Sequence, residues 1–295
     1  MVTPRAHTQP FTGSRTGTLR ALRAAHTSDP DDAFAWWAIA TGRLTLPDCR
    51  IAVEALHIQD INTMCLACDL DIAAISSATY PRIWRDYALL SPGASVGRGY
   101  GPALATRGLR SVREVKRATV AVPGDLTTGA LLLRLFFPGA RTVAMRFDRI
   151  AEAISSGEVD AGVLIHEELL NWEAKGLRRL ACLGAMWAER TGLPLPVGLN
   201  VVNRRLGEEG LPAVARLIRE SMVEAEAHPA EARAWAHRHS IASRAGIADQ
   251  FVAMFANEDT LALAPECIDA LRLLFTMAHG AGLVPEAPPI DLVEA

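Results

Sequence analysis

The sequence predicts an α/β fold of two lobes with a cleft between them, and three observations lead there. Strand-like and helix-like segments alternate through Thr119–Val122, Thr127–Phe137, Thr142–Phe147, Asp148–Ser156, Asp160–Ile165 and Leu180–Thr191. Such alternation implies parallel strands joined by helical crossovers. A separate α/β pattern precedes it, while Leu211–Gly280 is almost wholly helical. Helices alone cannot complete a sheet, so that stretch is expected to pack back on the first lobe. Finally, 295 residues, half of them apolar, can bury a core large enough for two lobes. The expected division is a disordered leader over 1–18, one lobe from 19–105 together with 200–295, and a second lobe over 106–199. The chain then crosses twice between lobes, and ligand clefts favour such positions.

Taken in order, residues before about Leu19 mix Thr, Gly, Arg and Pro without periodicity and read as disordered. A short strand follows, and Ser28-Asp-Pro-Asp-Asp32 turns into a helix with Phe34, Trp37 and Ala38 on one face. Arg50–Leu56 reads as a strand, and Asp60 as the cap of a helix whose apolar side holds Ile61, Met64, Cys65 and Cys68. Leu70–Ser76 is a buried strand ending at Ser76-Ser77, and Tyr87–Leu90 is another. Gly93, Gly97, Gly99 and Gly101 then loosen the backbone ahead of Ala103–Arg107. Beyond the alternating region, Pro194–Val202 reads as a strand behind a proline-stiffened entry.

Composition excludes several classes. The net charge of −3 lacks the basic excess of a nucleic-acid binder, and lysine occurs only at Lys116 and Lys175. No apolar run is long enough to cross a bilayer. Neither an apolar signal-peptide region nor an early cysteine opens the chain, which predicts a cytoplasmic protein. The odd set Cys49, Cys65, Cys68, Cys182 and Cys267 suits reduced thiols. Cys65-Leu-Ala-Cys68 has no second pair to complete a zinc site and reads as core; His228, His237 and His239 read as a solvated helix face. Gly97-Arg-Gly99-Tyr-Gly101 lacks the spacing of a dinucleotide loop and reads as a flexible crossover or a close-packed backbone.

Two strand ends carry the chemistry. Thr119–Val122 opens through Pro123-Gly124 into Thr127 and Thr128 at a helix start, where free N–H groups can hold an anion. The apolar run Val159–Ile165 stops at His166, followed by Glu167 and Glu168. A histidine at the carboxyl end of a strand, with carboxylates to raise its basicity, suits general acid or base work. Together the two ends suggest a site for a small carboxylated molecule. Asp29, Asp31 and Asp32 are accounted for at a helix N-terminus on dipole grounds.

Several segments in order then resemble the 1,4-dihydroxy-6-naphthoate synthase family of the futalosine route to menaquinone. They include Asp29-Pro-Asp-Asp-Ala-Phe34, Asp60-Ile-Asn-Thr63, Asp86-Tyr-Ala-Leu-Leu90, Gly99-Tyr-Gly-Pro102, Leu126-Thr-Thr128, Gly162-Val-Leu-Ile-His-Glu167 and Thr191-Gly-Leu-Pro-Leu-Pro196, within about residues 26–205. The resemblance implies a two-lobed fold like the type II periplasmic binding proteins. It also implies cleavage of cyclic dehypoxanthinyl futalosine to the dihydroxynaphthoate and dihydroxyacetone, with no metal or organic cofactor. His166 matches the family's base. Substrate contacts are implied at Ser76 and Ser77, at Thr127 and Thr128, and at Asp31 and Asp32.

The chain departs from that family at its first motif, where Asp29-Pro-Asp31-Asp32-Ala33 stands for the usual Cys-Pro-Asn-Asp-Thr. After Ser76 it has Ser77-Ala-Thr79 in place of the usual aromatic or histidine. These changes are expected to line the cleft and to bear on the substrate. Two other readings share the fold: a solute-binding protein for a small carboxylate, and a divergent relative acting on another compound. Chorismate dehydratase of the same superfamily fits less well, since the paired threonines and the Ile-His-Glu motif belong to the synthase.

Overall fold

A computed structural model describes residues 19–239 and 245–295; the leader expected over 1–18 lies outside the described residues. Strand β1 (Arg20–Thr27) alternates exposed and buried positions before running fully buried into the turn at Asp29. Pro30, with its preset φ and missing N–H, starts helix α1 (Pro30–Ala35), and α2 (Trp37–Ala40) follows. Strand β2 (Cys49–Leu56) pairs parallel with β1. Helix α3 (Ile58–Leu66) is capped by His57, whose Nδ1 accepts from the Gln59 N–H. The expected cap, Asp60, sits instead within the first turn, where its charge favours the helix dipole. Strand β3 (Ile72–Ser76) is buried throughout and parallel to β1. Helix α4 (Tyr80–Ile83) and strands β4 (Tyr87–Leu90) and β5 (Ser95–Gly97) complete this part.

The chain then crosses to a second sheet. Its elements are β6 (Ala103–Thr106), β7 (Thr119–Val122), α5 (Thr128–Phe136), β8 (Arg141–Ala144), α6 (Phe147–Ser156), β9 (Ala161–Leu164), β10 (Arg178–Cys182) and α7 (Leu183–Thr191). The order is β10-β6-β9-β7-β8. β7 is parallel to both β8 and β9, as the alternation predicts, whereas β6 is antiparallel to β9 and β10. The sequence reading assigned no strand at β5 or β6 and placed the end of β10 in a helix. β6 is buried on both faces, which erases the period-two signal that marks a half-exposed strand.

Strand β11 (Leu195–Asn203) returns to the first sheet, antiparallel to β3, β4 and β5. Helices α8 (Gly207–Ala227), α9 (Pro229–His239), α10 (Ala245–Phe255), α11 (Glu258–Leu261) and α12 (Pro265–Gly280) follow, and β12 (Leu292–Val293) pairs parallel with β4. The larger sheet therefore reads β12-β4-β11-β3-β1-β2 with β5 beside β11. The helical stretch packs back as expected: α8 lies against α1 and α2, and α12 against β11 and α5. All five cysteines are free; Cys65 is fully buried and its thiol is pushed up to about 12 by desolvation, so it behaves as core.

The two crossings, over 98–102 and 183–194, meet at tightly packed backbone. A Cβ on Gly97 would stand 2.0 Å from the Tyr100 carbonyl oxygen, and one on Gly184 would stand 2.1 Å from the same atom. Gly97 and Gly184 thus serve close packing, whereas Gly99, at φ of 82° with open space around it, serves the turn. Gly97→Ala is expected to destabilise the protein by about 1–3 kcal/mol in urea denaturation, because backbone rather than a flexible side chain must move; an unchanged midpoint would show that the crossing yields freely.

Candidate functional site

The carboxyl ends of β1, β3 and β9 and the start of α5 converge on a cavity between the two sheets, with about 650 Å³ of atom-free space counted to its open mouth. Asp29, Asp31 and Asp32 enter from the larger sheet, Thr128, Gly129 and His166 from the smaller one. Phe251 and Phe255 of α10 add apolar area, clustered with Leu169 of the turn after β9. Ligands of open α/β sheets sit beyond the carboxyl ends of strands, and the cavity obeys that rule.

His166 begins the turn after β9 with φ of 54°, the left-handed region that non-glycine residues seldom occupy. Its Nδ1 contacts Asp29 Oδ2 across the cavity. The Phe147 ring meets the imidazole edge-on at 4.5 Å, and His57 stacks on Phe147 at 5.3 Å. Burial lowers the His166 pKa, while the Glu167, Asp31 and Asp32 carboxylates pull it the other way. The adjacent carboxylates thus do raise its basicity, but loss of water outweighs them, so the imidazole is neutral near pH 7. A neutral imidazole is the form that accepts a proton.

The three acidic residues lie side by side, each held by a different neighbour. Asp32 Oδ2 accepts from the Thr27 N–H at 3.0 Å and from the Thr27 hydroxyl at 2.7 Å. Asp31 Oδ2 accepts from the Ser95 hydroxyl at 2.9 Å, and Asp31 Oδ1 has no protein partner. Desolvation first, then the neighbouring carboxylates, holds Asp29 and Asp31 well above the usual carboxylate range. Oxygens of Asp29, Asp31 and Asp32 lie within 4.8 Å of one another, a spacing compatible with a cation. One oxygen each of Asp29, Asp31 and Asp32 is already engaged, by His166, Ser95 and Thr27 respectively.

The helix start expected to offer backbone N–H groups to an anion lines the cavity through Thr127, Thr128 and Gly129. Thr127 caps α5: its hydroxyl donates to the Gly124 carbonyl and accepts from the Ala130 N–H. The Thr128 hydroxyl donates to the Val197 carbonyl at 2.7 Å and accepts from the Ala78 N–H at 3.3 Å, tying the smaller sheet to β11 and the end of β3. The N–H groups of Thr128 and Gly129, in the first turn, are those a helix leaves for an anion. Gly124, at φ of 134°, lets this loop approach Gln59, whose Oε1 accepts from the Leu126 N–H.

Ser76 lines the cavity; its Oγ accepts from Asn62 Nδ2, so its hydroxyl proton is available to a ligand. Ser77 does not line it, and its hydroxyl donates to the Pro196 carbonyl. Two departures expected to line the cleft lie elsewhere. Ala33 is fully buried in the core beside α8, and the Thr79 hydroxyl donates to the Leu126 carbonyl. Asp29 was missed as a site residue because an aspartate before a proline-led helix has a sufficient explanation in the dipole. His57 was missed because nothing local links it to Phe147.

A carboxyl group whose folded pKa is raised contributes stability below its unfolded pKa and loses it as pH climbs through the folded value. Asp31→Asn keeps the shape of the protonated acid while removing the charge. The melting temperature of this variant relative to the wild type is therefore expected to rise from pH 5 to pH 9. A constant difference across that range would place Asp31 in an ordinary ionised state.

The model of the family described as menaquinone biosynthesis matches residues 22–280. A protein of Streptomyces coelicolor named 1,4-dihydroxy-6-naphtoate synthase is 35% identical over 274 residues, covering 91% of this chain and 96% of its own. A crystal structure of an Archaeoglobus fulgidus protein superposes with a TM-score of 0.84 at 35% identity, covering 90% of this chain and 98% of that one. The alkanesulfonate-binding protein SsuA of Xanthomonas axonopodis pv. citri, bound to MOPS, reaches 0.72 at 13% identity, covering 93% and 98%, a likeness of fold. The fold is that of the periplasmic binding proteins, and the chain belongs to the menaquinone biosynthesis family.

Proposed function

We propose that this protein is a cytoplasmic, cofactor-independent carbon–carbon lyase that cleaves cyclic dehypoxanthinyl futalosine to 1,4-dihydroxy-6-naphthoate and dihydroxyacetone. The observation that carries the reading is a buried, neutral His166 lining the same cavity as the first turn of α5. The lobes divide at the two crossings, so that β6 belongs with the lobe expected over 106–199 and β11 with the lobe expected over 19–105 and 200–295, and the substrate lies between them. Its carboxylate binds the N–H groups of Thr128 and Gly129, since the helix start attracts an anion. Its ring packs against Phe251, Phe255 and Leu169, which line the same cavity. Hydroxyl groups of the departing three-carbon unit meet Ser76 and the unpartnered Asp31 oxygen.

His166 Nδ1 is occupied by Asp29, so Nε2 is the ring nitrogen left to take the substrate proton. The electron pair released by that removal drives the carbon–carbon bond to break, and fixed donors stabilise the charge that develops. Closure of the cavity over the substrate excludes water.

Incubation of the purified protein with cyclic dehypoxanthinyl futalosine is expected to yield dihydroxynaphthoate on chromatography without added metal. His166→Gln, with folding verified by its melting temperature, is expected to lose at least the roughly hundredfold that a general base contributes. Ligand recovered intact after tight, reversible binding would reject the lyase and favour a solute-binding role.

A further inference from the structure

We infer that Asp29 is the positioning residue of His166, and that the paired base is assembled only when the two walls of the cleft come together. The inference rests on the reading that this site moves a proton, but it stands on a geometry of its own. Asp29 occupies the N-cap position of α1, where an aspartate ordinarily bonds the N–H groups of the first turn. Here its side chain makes no cap hydrogen bond; one oxygen meets His166 and the other has no hydrogen-bond partner. The carboxyl group has forgone its local role for a contact 137 residues along the chain, between a residue after β1 and a residue after β9.

The other partner is equally committed. His166 holds a left-handed backbone, a conformation that costs on the order of 1–3 kcal/mol and persists where its surroundings impose it. The turn it begins, His166–Leu170, packs against α10, whose Phe251 and Phe255 contact Leu169. Both members of the pair are buried.

The chemistry follows from which nitrogen is held. A carboxylate at Nδ1 accepts the Nδ1–H and leaves the lone pair on Nε2. When Nε2 takes a proton from the substrate, the electron pair stays on the substrate and the new imidazolium faces the Asp29 charge. The pair acts with Asp29 ionised; burial and the neighbouring carboxylates raise the Asp29 pKa, so this form is the one populated on the alkaline side of that raised value. With the walls apart, Asp29 and His166 separate, and the ring is free to carry its proton on Nε2, where it cannot act as a base. The remaining charges that face the pair are Asp31 and Asp32 from α1, Glu167 beside the histidine, and His57 behind Phe147. These stay in place when Asp29 alone is changed.

The test is Asp29→Asn, read in two ways. In steady-state turnover of cyclic dehypoxanthinyl futalosine, kcat is expected to fall at least tenfold with KM within about twofold. The acid limb of the pH profile is expected to move to lower pH, since removing a negative charge makes His166 harder to protonate. Independently, long-range ¹⁵N–¹H spectra of the histidines, with the His166 signals assigned through His166→Gln, report the tautomer. With dihydroxynaphthoate added, the wild type is expected to show Nδ1–H; without it, a mixture; and Asp29→Asn, with either sample, a larger share of Nε2–H. Wild-type kcat and pH profile in Asp29→Asn, or an unchanged tautomer, would overturn the positioning role. A wild-type tautomer that ignores added product would overturn the dependence on closure. If the wild type forms no product at all, the lyase reading fails, while the wild-type spectra still decide the pair.

Discussion

Strand β11 is the constraint on which the two halves of this molecule depend. It pairs with β3, β4 and β5 in the larger sheet, so its register fixes where the chain enters and leaves the second sheet. Its carbonyls do further work outside the ladder: that of Pro196 accepts from Ser77, and that of Val197 accepts from Thr128. The end of β3 and the start of α5 are thereby pinned to one short segment. The Ser77 and Thr128 hydroxyl protons are committed to that joint, so neither is free to donate to a ligand. What the joint releases to the cavity is the neighbouring Ser76 hydroxyl and the first N–H groups of α5.

Electrostatics then sort the cavity by chemistry. Burial and the crowding of carboxyl groups raise the pKa of Asp29 and Asp31, and burial lowers that of His166, so the wall that carries them resists charge and Asp29 ionises only toward alkaline pH. A protonated Asp31 offers one donor and one acceptor, as an amide would, which makes the change from the family's asparagine less drastic than formal charge implies. The helix start supplies the opposite character, positive and free of side-chain charge. A ligand with an anionic group and hydroxyls satisfies both regions, whereas a dianion lying along the aspartates does not.

Legibility in the sequence followed the range of the interactions. His166 stood out because an apolar strand ended on it, and Thr127 because capping is local; both signals lie within a few residues. The return of the helical C-terminal stretch was also legible, since α8 must bury its apolar face on something. The orientation of Ser77 was not legible, because β11, 119 residues away, decides it. Nor was Ala33: sequence position placed it beside the cleft, yet the turn of α1 points it into the core under α8. Strand β6 escaped for a different reason, being four buried residues with no exposed face to mark its period.

The same distinction explains why Asp29 matters more than its local explanation implies. An aspartate that caps its own helix spends both oxygens within one turn and tells nothing about the rest of the fold. An aspartate at the cap position that leaves the helix N–H groups uncapped must gain more elsewhere, or the helix would recover roughly 1 kcal/mol by simple rotation of the side chain. The contact with His166 is what stands against that gain, and it exists only while β1 and β9 end at the same cavity. Loss of the cap in α1 is therefore the local trace of a long-range requirement, and the fold that brings two strand ends together is also the fold that gives the imidazole its partner.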